Sequence, residues 1–386
     1  MTLPNRNFNF PTSIKFGAGR IKELADHAKA AGMKRPLFVT DPGLAAMPMV
    51  ATILADLKAA GLAVQMFSDV RPNPVEANII AGVKAYKAGM HDGVIAFGGG
   101  SGLDIGKMIA LMHGQSISVF DLEDIGDWWT RADASRISPI IAVPTTAGTG
   151  SEVGRAGVVT HPTTHEKKII FHPAIMPKVS ILDPELTVGL PAKLTAATGM
   201  DALAHNLEAY CAPFYHPLAV GVALEGMRLV KDNLVTAVKK PKDLDARGNM
   251  LVASAMGATA FQRGLGAIHA LSHPFGGLYD AHHGMLNGII MPYVLVANRK
   301  KIEKDIERAA GYLGIKGGFN GFLKWVIALR KEIGIPNALK DIGIDVKRLD
   351  EVAAMAVKDP SAGGNPIPFT EKQYKALAKK CVTGDL

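Results

Sequence analysis

The chain of 386 residues has only two cysteines, Cys211 and Cys381, and it has no long apolar run. Two thiols are too few for a disulfide framework, which favours a reducing compartment. No apolar run approaches the ~20 residues that a membrane-spanning helix needs. Residues 1–10 also lack the apolar centre of a signal peptide. We therefore expect a cytoplasmic protein with no membrane partner.

Blocks of like charge are also missing, although 43 Lys and Arg residues outnumber 35 Asp and Glu residues and give a formal net charge of +8. Because the basic residues are scattered among acidic ones, we expect no nucleic-acid partner. A mildly positive surface also attracts an anionic dinucleotide, so net charge alone does not choose between these ligands. The length and the 48% hydrophobic content favour two globular domains.

The first half of the chain alternates short apolar runs with helical patterns. Each run has the length of a strand and is followed by residues that suit turns or helix starts. The runs lie at residues 35–40, 63–68, 93–97 and 139–143. This alternation predicts a parallel sheet with helices on both faces, which binds ligands at the carboxyl ends of its strands.

The pattern changes after Pro184 and Pro191, where helical spacing dominates and strand-like runs become rare. Long helical patterns cover residues 195–210 and 218–238. We therefore predict an α/β dinucleotide-binding domain over residues 1–187. An all-helical metal-binding and substrate domain is predicted over residues 188–386.

A glycine-rich turn follows the run at 93–97 in the segment GVIAFGGGSGLDIGK. Glycines let the backbone approach a ligand closely, and the next helix presents free N–H groups to a phosphate. A Walker A motif would require Ser or Thr at Met108, and the GxGxxG pattern fails at Leu103. We still predict a pyrophosphate site here and include Asp104 among the cofactor contacts, with Gly98, Gly99, Gly100 and Ser101.

A second turn, PTTAGTGSE, offers hydroxyl groups at Thr145, Thr146, Thr149 and Ser151. Two turns at neighbouring strand ends can hold one dinucleotide, although Gly and Thr also make plain tight connections. Asp41 ends the run at 35–40, where a carboxylate accepts hydrogen bonds from ribose hydroxyls and repels a 2′-phosphate. It therefore favours NAD over NADP, and its alternative role is to cap the next helix.

Histidines cluster in two Ala- and Gly-rich segments. In TGMDALAHNLEAY, Asp201 and His205 are four residues apart and so share a helix face. In GAIHALSHPFGGLYDAHHG, four more histidines follow, and buried imidazoles need polar partners. Imidazoles with one carboxylate suit Fe²⁺ or Zn²⁺. The four are His269, His273, His282 and His283.

The order of these motifs resembles the iron-containing (group III) alcohol dehydrogenases, from FPTSIKFGAGRI at residues 10–21 to NPIPFT near Asn365. The resemblance implies a dehydroquinate synthase-like fold, a site in the cleft between two domains, and at least a dimer. It implies that His273 is a proton relay near the nicotinamide and that Asn73 and Lys167 contact the cofactor. The metal ligands that it implies are Asp201, His205, His269 and His283.

Four positions depart from the family's usual pattern. Ser272 stands where Ala is usual, and His282 replaces Pro and could compete with His283 for the metal. Val220 replaces a frequent Asp, and Ile367 replaces a frequent Arg. These changes bear on the choice of substrate more than on the reaction.

We expect the metal to act as a Lewis acid on the oxygen of a small primary alcohol or diol while hydride passes to NAD. Phe261 and Phe275 are candidates for an apolar wall, or for plain core packing. One rival function is a metal- and NAD-using sugar-phosphate cyclase of the dehydroquinate synthase kind. A second rival is a nucleotide or metal sensor without catalysis.

Overall fold

The computed structural model describes residues 9–10 and 12–386, which form two compact units. The sheet unit comprises residues 12–146 and 150–188. The helical unit comprises residues 147–149 and 189–386, with Asn9 and Phe10. The assignment of nucleotide binding to the first unit and metal binding to the second stays a prediction. In the described ranges, no helix is both long enough and apolar enough to cross a membrane.

The strands of the described residues all lie in the sheet unit. Six of them form one parallel sheet in the order β1-β8-β5-β4-β2-β3, and β6 and β7 form an antiparallel hairpin. Their bounds are β1 (Ser13–Phe16), β2 (Pro36–Val39), β3 (Gln65–Phe67), β4 (Gly93–Gly98), β5 (Ile140–Pro144), β6 (Ala156–Thr160), β7 (Lys167–Phe171) and β8 (Val179–Leu182).

Helices cover both faces of this sheet, as the residues of β4 show. Val94 and Ala96 pack into one core with residues of α4 and α5, while Ile95 and Phe97 pack into another with residues of α1 and α3. Alternation of this kind follows from the two-residue period of a strand. The predicted fold class is therefore confirmed. The helices of this unit are α1 (Leu24–Ala30), α2 (Pro42–Ala45), α3 (Pro48–Ala59), α4 (Glu76–Ala88) and α5 (Gly100–Met112).

The four predicted strands correspond to β2, β3, β4 and β5, but the sequence analysis did not predict β1, β8 or the hairpin of β6 and β7. Strands β1 and β8 have four residues each, and Ser13, Lys15 and Ser180 interrupt their apolar runs. Strand β1 also lies at the sheet edge and exposes Ile14 and Phe16, so it lacks the apolar continuity of the buried strands.

The helical unit contains eight α-helices in its described residues. Helix α6 packs against α7, α8 and α10, and most of its side chains are buried, including several polar ones. The bounds are α6 (Ala192–Cys211), α7 (Pro217–Lys239), α8 (Leu244–Ala260), α9 (Ala267–Tyr279), α10 (His283–Tyr312), α11 (Gly318–Glu332), α12 (Leu349–Ala356) and α13 (Glu371–Thr383).

Helix α5 packs directly on β4 at Gly106, where a Cβ atom would lie 2.6 Å from Ala96 Cβ. We therefore expect Gly106→Ala to lower the free energy of unfolding by about 1–3 kcal/mol, because the helix must move off the sheet. Urea unfolding followed by circular dichroism measures the change. The matched control is Gly221→Ala in α7, where a Cβ meets no atom within 4 Å. The control should stabilise by up to about 1 kcal/mol through helix propensity, and equal effects of the two substitutions would contradict the packing argument.

Candidate functional site

Three helices bring the predicted metal ligands together in the helical unit. Helix α6 carries Asp201 and His205 on one face, and both side chains are buried. His269 on α9 stacks on His205, with ring centroids 4.6 Å apart. His283 is the first residue of α10, and its ring centroid lies 5.2 Å from that of His269.

The oxygen Oδ1 of Asp201 is the common neighbour of three imidazole Nε2 atoms. It lies 3.9 Å from His205, 3.8 Å from His269 and 3.6 Å from His283. The ligand atoms of Asp201, His205 and His269 are all within 4.8 Å of one another. Donor atoms of a tetrahedral zinc site lie roughly 3.4 Å apart, because the bonds to the ion are about 2.1 Å long. The residues therefore fit a divalent ion after a small contraction.

Hydrogen bonds at Nδ1 orient each of the three imidazoles. His205 donates from Nδ1 to the Gly148 carbonyl at 3.2 Å, and His269 donates to Glu208 Oε2 at 2.5 Å. His283 donates to the hydroxyl of Ser272, which itself donates to the His269 carbonyl. With the proton on Nδ1, each Nε2 lone pair is available to a metal ion.

Burial lowers the pKa of both His205 and His269, but the net pKa shifts of the two rings have opposite directions. Burial lowers the pKa of His205 to about 4, so this ring is neutral at pH 7 and can serve as a ligand. Burial also lowers the pKa of His269, but the carboxylate of Glu208 outweighs it and the net pKa is raised. The buried carboxylate of Glu208 is thus the strongest electrostatic partner of the His269 ring.

Asn287 occupies the centre of the ligand group from α10. Its Nδ2 donates to Asp201 Oδ1 at 2.7 Å and lies 3.2 Å from Nε2 of His269 and of His283. Its own Oδ1 is buried and has no hydrogen-bond partner in the part of the chain that the structure describes. Three acceptors therefore converge on one electropositive group, which is the arrangement that a cation also requires.

His273 lies next to the ligand group without joining it. Its ring stacks on His283 with centroids 5.3 Å apart, and its Nδ1 is 2.7 Å from Asp359 Oδ2. Burial raises the pKa of Asp359, but the charge and hydrogen bond of His273 outweigh it and the net pKa is lowered. Asp359 is therefore an ionised partner that holds the His273 ring.

The neighbouring aromatic and histidine residues take separate places. Phe261 packs against the His205 ring, with centroids 5.4 Å apart, whereas Phe275 is fully buried in the core of the helical unit. His282 is exposed, and its Nδ1 accepts the Met285 N–H as the N-cap of α10. Its capping role accounts for a histidine beside His283.

The predicted cofactor residues of the sheet unit meet at the carboxyl ends of β2, β4 and β5. Gly98 has a φ of +139°, and a Cβ built on it would lie 3.7 Å from Asp41 Oδ2. A Cβ on Gly99 would lie 3.3 Å from Thr146, and Thr145 N donates to Gly98 O at 3.0 Å. Gly100 and Ser101 are the first residues of α5. The two glycine-rich turns are therefore neighbours, as predicted for a shared ligand.

Other predicted cofactor residues have more varied surroundings. Asp41 accepts the Leu44 N–H at 3.0 Å and caps α2, which is the alternative role that the sequence left open. Asn73 precedes Pro74, whose carbonyl accepts the Thr160 N–H of the hairpin. Lys167 is the cross-strand partner of Thr160 in the same hairpin. Thr149 belongs to the short segment 147–149 of the helical unit.

Comparisons with known proteins point in the same direction as this geometry. Residues 11–184 match the family described as iron-containing alcohol dehydrogenase, and residues 195–382 match its C-terminal family. The chain belongs to the iron-containing alcohol dehydrogenase family.

Three similar proteins show the range of the family. A 4-hydroxybutyrate dehydrogenase from Cupriavidus necator is 35% identical over 96% of this chain and 98% of its own length. The crystal structure of a 1,3-propanediol oxidoreductase has a TM-score of 0.92 and 35% identity, covering 97% of this chain and 100% of that one. A sulfoacetaldehyde reductase from Bifidobacterium kashiwanohense, solved in complex with NAD⁺, has a TM-score of 0.88 and 28% identity, covering 98% and 99%.

Three polar residues around the predicted metal ligands were not among the predicted site residues. Glu208 lies seven residues after Asp201 and so shares its helix face, and Asn287 lies four residues after His283. Helical spacing from the predicted ligands was therefore a signal for both. Asp359 is 86 residues from His273, and no local pattern connects them.

Two predicted cofactor residues, Asp104 and Ser151, are buried and bond to each other in this family member. Ser151 Oγ donates to Asp104 Oδ1 at 2.5 Å, and Val158 N donates to Asp104 Oδ2 at 3.0 Å. The buried Lys107 pairs with Asp104 and donates to the carbonyls of Ser151 and Ala156. These bonds tie α5 to the loop before β6, and cofactor contact by Asp104 and Ser151 stays a prediction.

Glu152, next to this cluster, is buried, and its Oε1 has no hydrogen-bond partner in the ranges that the structure describes. Burial raises the pKa of Glu152 to about 7 from an ordinary value of 4.5. The folded state therefore binds the proton more tightly than the unfolded state. The stability from this group is present below pH 4.5 and is lost as pH rises through 7.

We expect Glu152→Gln to become progressively more stable than the unsubstituted protein as pH rises from 5 to 8, by on the order of 2–3 kcal/mol. Urea unfolding across this pH range measures the difference. The exposed Glu185→Gln is the control and should show a constant difference. A difference for Glu152→Gln that does not change with pH would show that the carboxyl group does not titrate as described.

Proposed function

We propose that this protein is an NAD-linked, metal-dependent alcohol dehydrogenase and aldehyde reductase that acts on a small primary alcohol or diol. The observation that carries the proposal is the convergence of three imidazole Nε2 atoms on Asp201 Oδ1 at 3.6–3.9 Å. Family membership supports the reaction class. The similar proteins are named for 4-hydroxybutyrate, 1,3-propanediol and sulfoacetaldehyde, which are small and carry a second polar group.

In this proposal Asp201, His205, His269 and His283 hold a divalent iron or zinc ion. Such an ion polarises the substrate oxygen, and a bound nicotinamide accepts or supplies the hydride. His273 lies beside the ligands and is the proposed proton relay, since Asp359 fixes its Nδ1 and leaves Nε2 to exchange the proton. The ring of Phe261 covers one side of His205 and helps to exclude water.

For the cofactor, we propose that the turn at Gly98, Gly99, Gly100 and Ser101 binds the pyrophosphate of NAD. The N-cap Gly99 has no side chain, so none covers the start of the 13-residue helix α5. Asp41 next to Gly98 favours a ribose with free hydroxyls over a 2′-phosphate. We assign the remaining contacts to Asn73, Thr145, Thr146, Thr149 and Lys167.

The ligand assignment predicts that His269→Ala loses metal, because it removes a buried donor and leaves Glu208 facing a cavity. After reconstitution with Fe²⁺ or Zn²⁺, we expect at least a tenfold loss of affinity, measured as bound metal after gel filtration. The control is His27→Ala on α1 of the sheet unit, which should keep its metal. A His269→Ala protein with full metal content and full turnover would refute the assignment.

The reaction is tested by a panel of substrates with NAD(H) and NADP(H) at 340 nm. We expect steady NADH formation from diols and hydroxy acids such as 1,3-propanediol and 4-hydroxybutyrate, and preference for NAD over NADP. Binding of NAD and metal without turnover of any alcohol or aldehyde would favour a sensor. Turnover of a sugar phosphate without net NADH would favour a cyclase.

We also propose a cytoplasmic location and at least a homodimer. The location is supported by the two cysteines, which form no disulfide, and the dimer by the resemblance to the family. Light scattering of the purified full chain measures its mass in solution.

A further inference from the structure

The buried carboxylate of Glu208 contacts two consecutive residues of α9. Its Oε1 accepts the Ile268 N–H at 2.7 Å, and its Oε2 accepts the His269 Nδ1–H at 2.5 Å. Within the described ranges, His269 is the only potentially cationic side chain whose nitrogen lies within 4.0 Å of this carboxylate. Since a buried carboxylate is costly without partners, its place is explained by what it does for α9.

The N-cap residue of α9 is Gly266, which has no side chain to accept a hydrogen bond from the N–H groups of the first turn. Two side chains from elsewhere supply the acceptors instead. Asn365 Oδ1 accepts the Ala267 N–H at 3.1 Å, and Glu208 accepts the next N–H. Asn365 is itself held by a pair of amide hydrogen bonds with Asn298. Both residues therefore cap the helix, but only Glu208 also contacts an imidazole.

We propose that Glu208 is a positioning residue that sets the metal affinity of the centre by fixing the proton of His269 on Nδ1. The Nε2 lone pair of His269 then faces Asp201 Oδ1, which is 3.8 Å away. This inference rests on the proposed metal centre. Removing a carboxylate that orients a ligating histidine typically weakens metal binding about 10–100-fold.

Helix capping and ring orientation have different measurable effects. A lost cap weakens the helix whether or not metal is present, so it lowers Tm of the metal-free protein. A lost bond to Nδ1 acts on the ligand itself and lowers metal affinity. Asn365 provides the matched control, because it caps the same helix one residue earlier and does not touch the ring.

The experiment measures the Kd of Zn²⁺ by competition with a chromophoric chelator, using metal-free full-length protein. The variants are Glu208→Gln, Glu208→Asp and Asn365→Ala. Glutamine at this position presents one oxygen and one NH₂ group. One of the two α9 donors, the Ile268 N–H or the His269 Nδ1–H, therefore faces another donor instead of an acceptor. We expect about 10–100-fold weaker Zn²⁺ binding for Glu208→Gln. Asn365→Ala should lower Tm and leave Kd within about threefold of the unsubstituted protein.

Glu208→Asp keeps the charge but is shorter by one methylene and cannot reach both donors. It should bind Zn²⁺ more weakly than the unsubstituted protein, and it carries the test if Glu208→Gln fails to fold. Unchanged Kd in the Glu208 variants would overturn the inference, as would an equal loss of affinity in Asn365→Ala. Absence of Zn²⁺ binding by the unsubstituted protein would instead overturn the proposed metal centre.

Discussion

The packing of the helical unit depends on the hydrogen-bond and charge partners that it supplies to the ionisable side chains buried on α6. Asp201, His205 and Glu208 occur along one helix that is otherwise rich in Ala and Leu, and each would be costly in such surroundings without a partner. The partners come from α9 and α10, through His269, His283 and Asn287. These polar groups therefore require the N-terminal turns of α9 and α10 to lie against α6. The apolar residues around them contribute most of the buried surface.

Small residues make that approach possible. A Cβ on Gly284, the second residue of α10, would lie 2.3 Å from the Ala197 carbonyl oxygen. A Cβ on Gly257 of α8 would lie 2.9 Å from His205 Cβ. Larger residues at either position would push a neighbouring helix away from α6 and separate donor atoms that must lie within a few ångströms. Glycine at these two positions therefore permits the close approach of α8 and α10 to α6.

Sequence periodicity could predict contacts within one helix but not contacts between helices. The four-residue spacing of Asp201 and His205 placed both on one face, whereas the pairing of Asp201 with His283 spans 82 residues and came from the family resemblance. The same helical spacing leads one turn further along α6 from His205 to Glu208, and one turn along α10 from His283 to Asn287. Asp359 reaches His273 from a distant segment, so only the folded chain reveals it.

The sheet unit shows why polar residues beside glycine-rich turns are ambiguous in a sequence. Asp41 stands at a strand end where a ribose contact is expected, yet it also caps α2. Asp104 and Ser151 flank the two turns, but their polar atoms bond within the protein and to Lys107. A buried lysine and carboxylate that brace the loop give it a fixed shape, and a fixed loop holds a ligand at a lower entropic cost. The bonds among Asp104, Ser151 and Lys107 therefore fix the backbone of this loop, whether or not these side chains also contact the predicted cofactor.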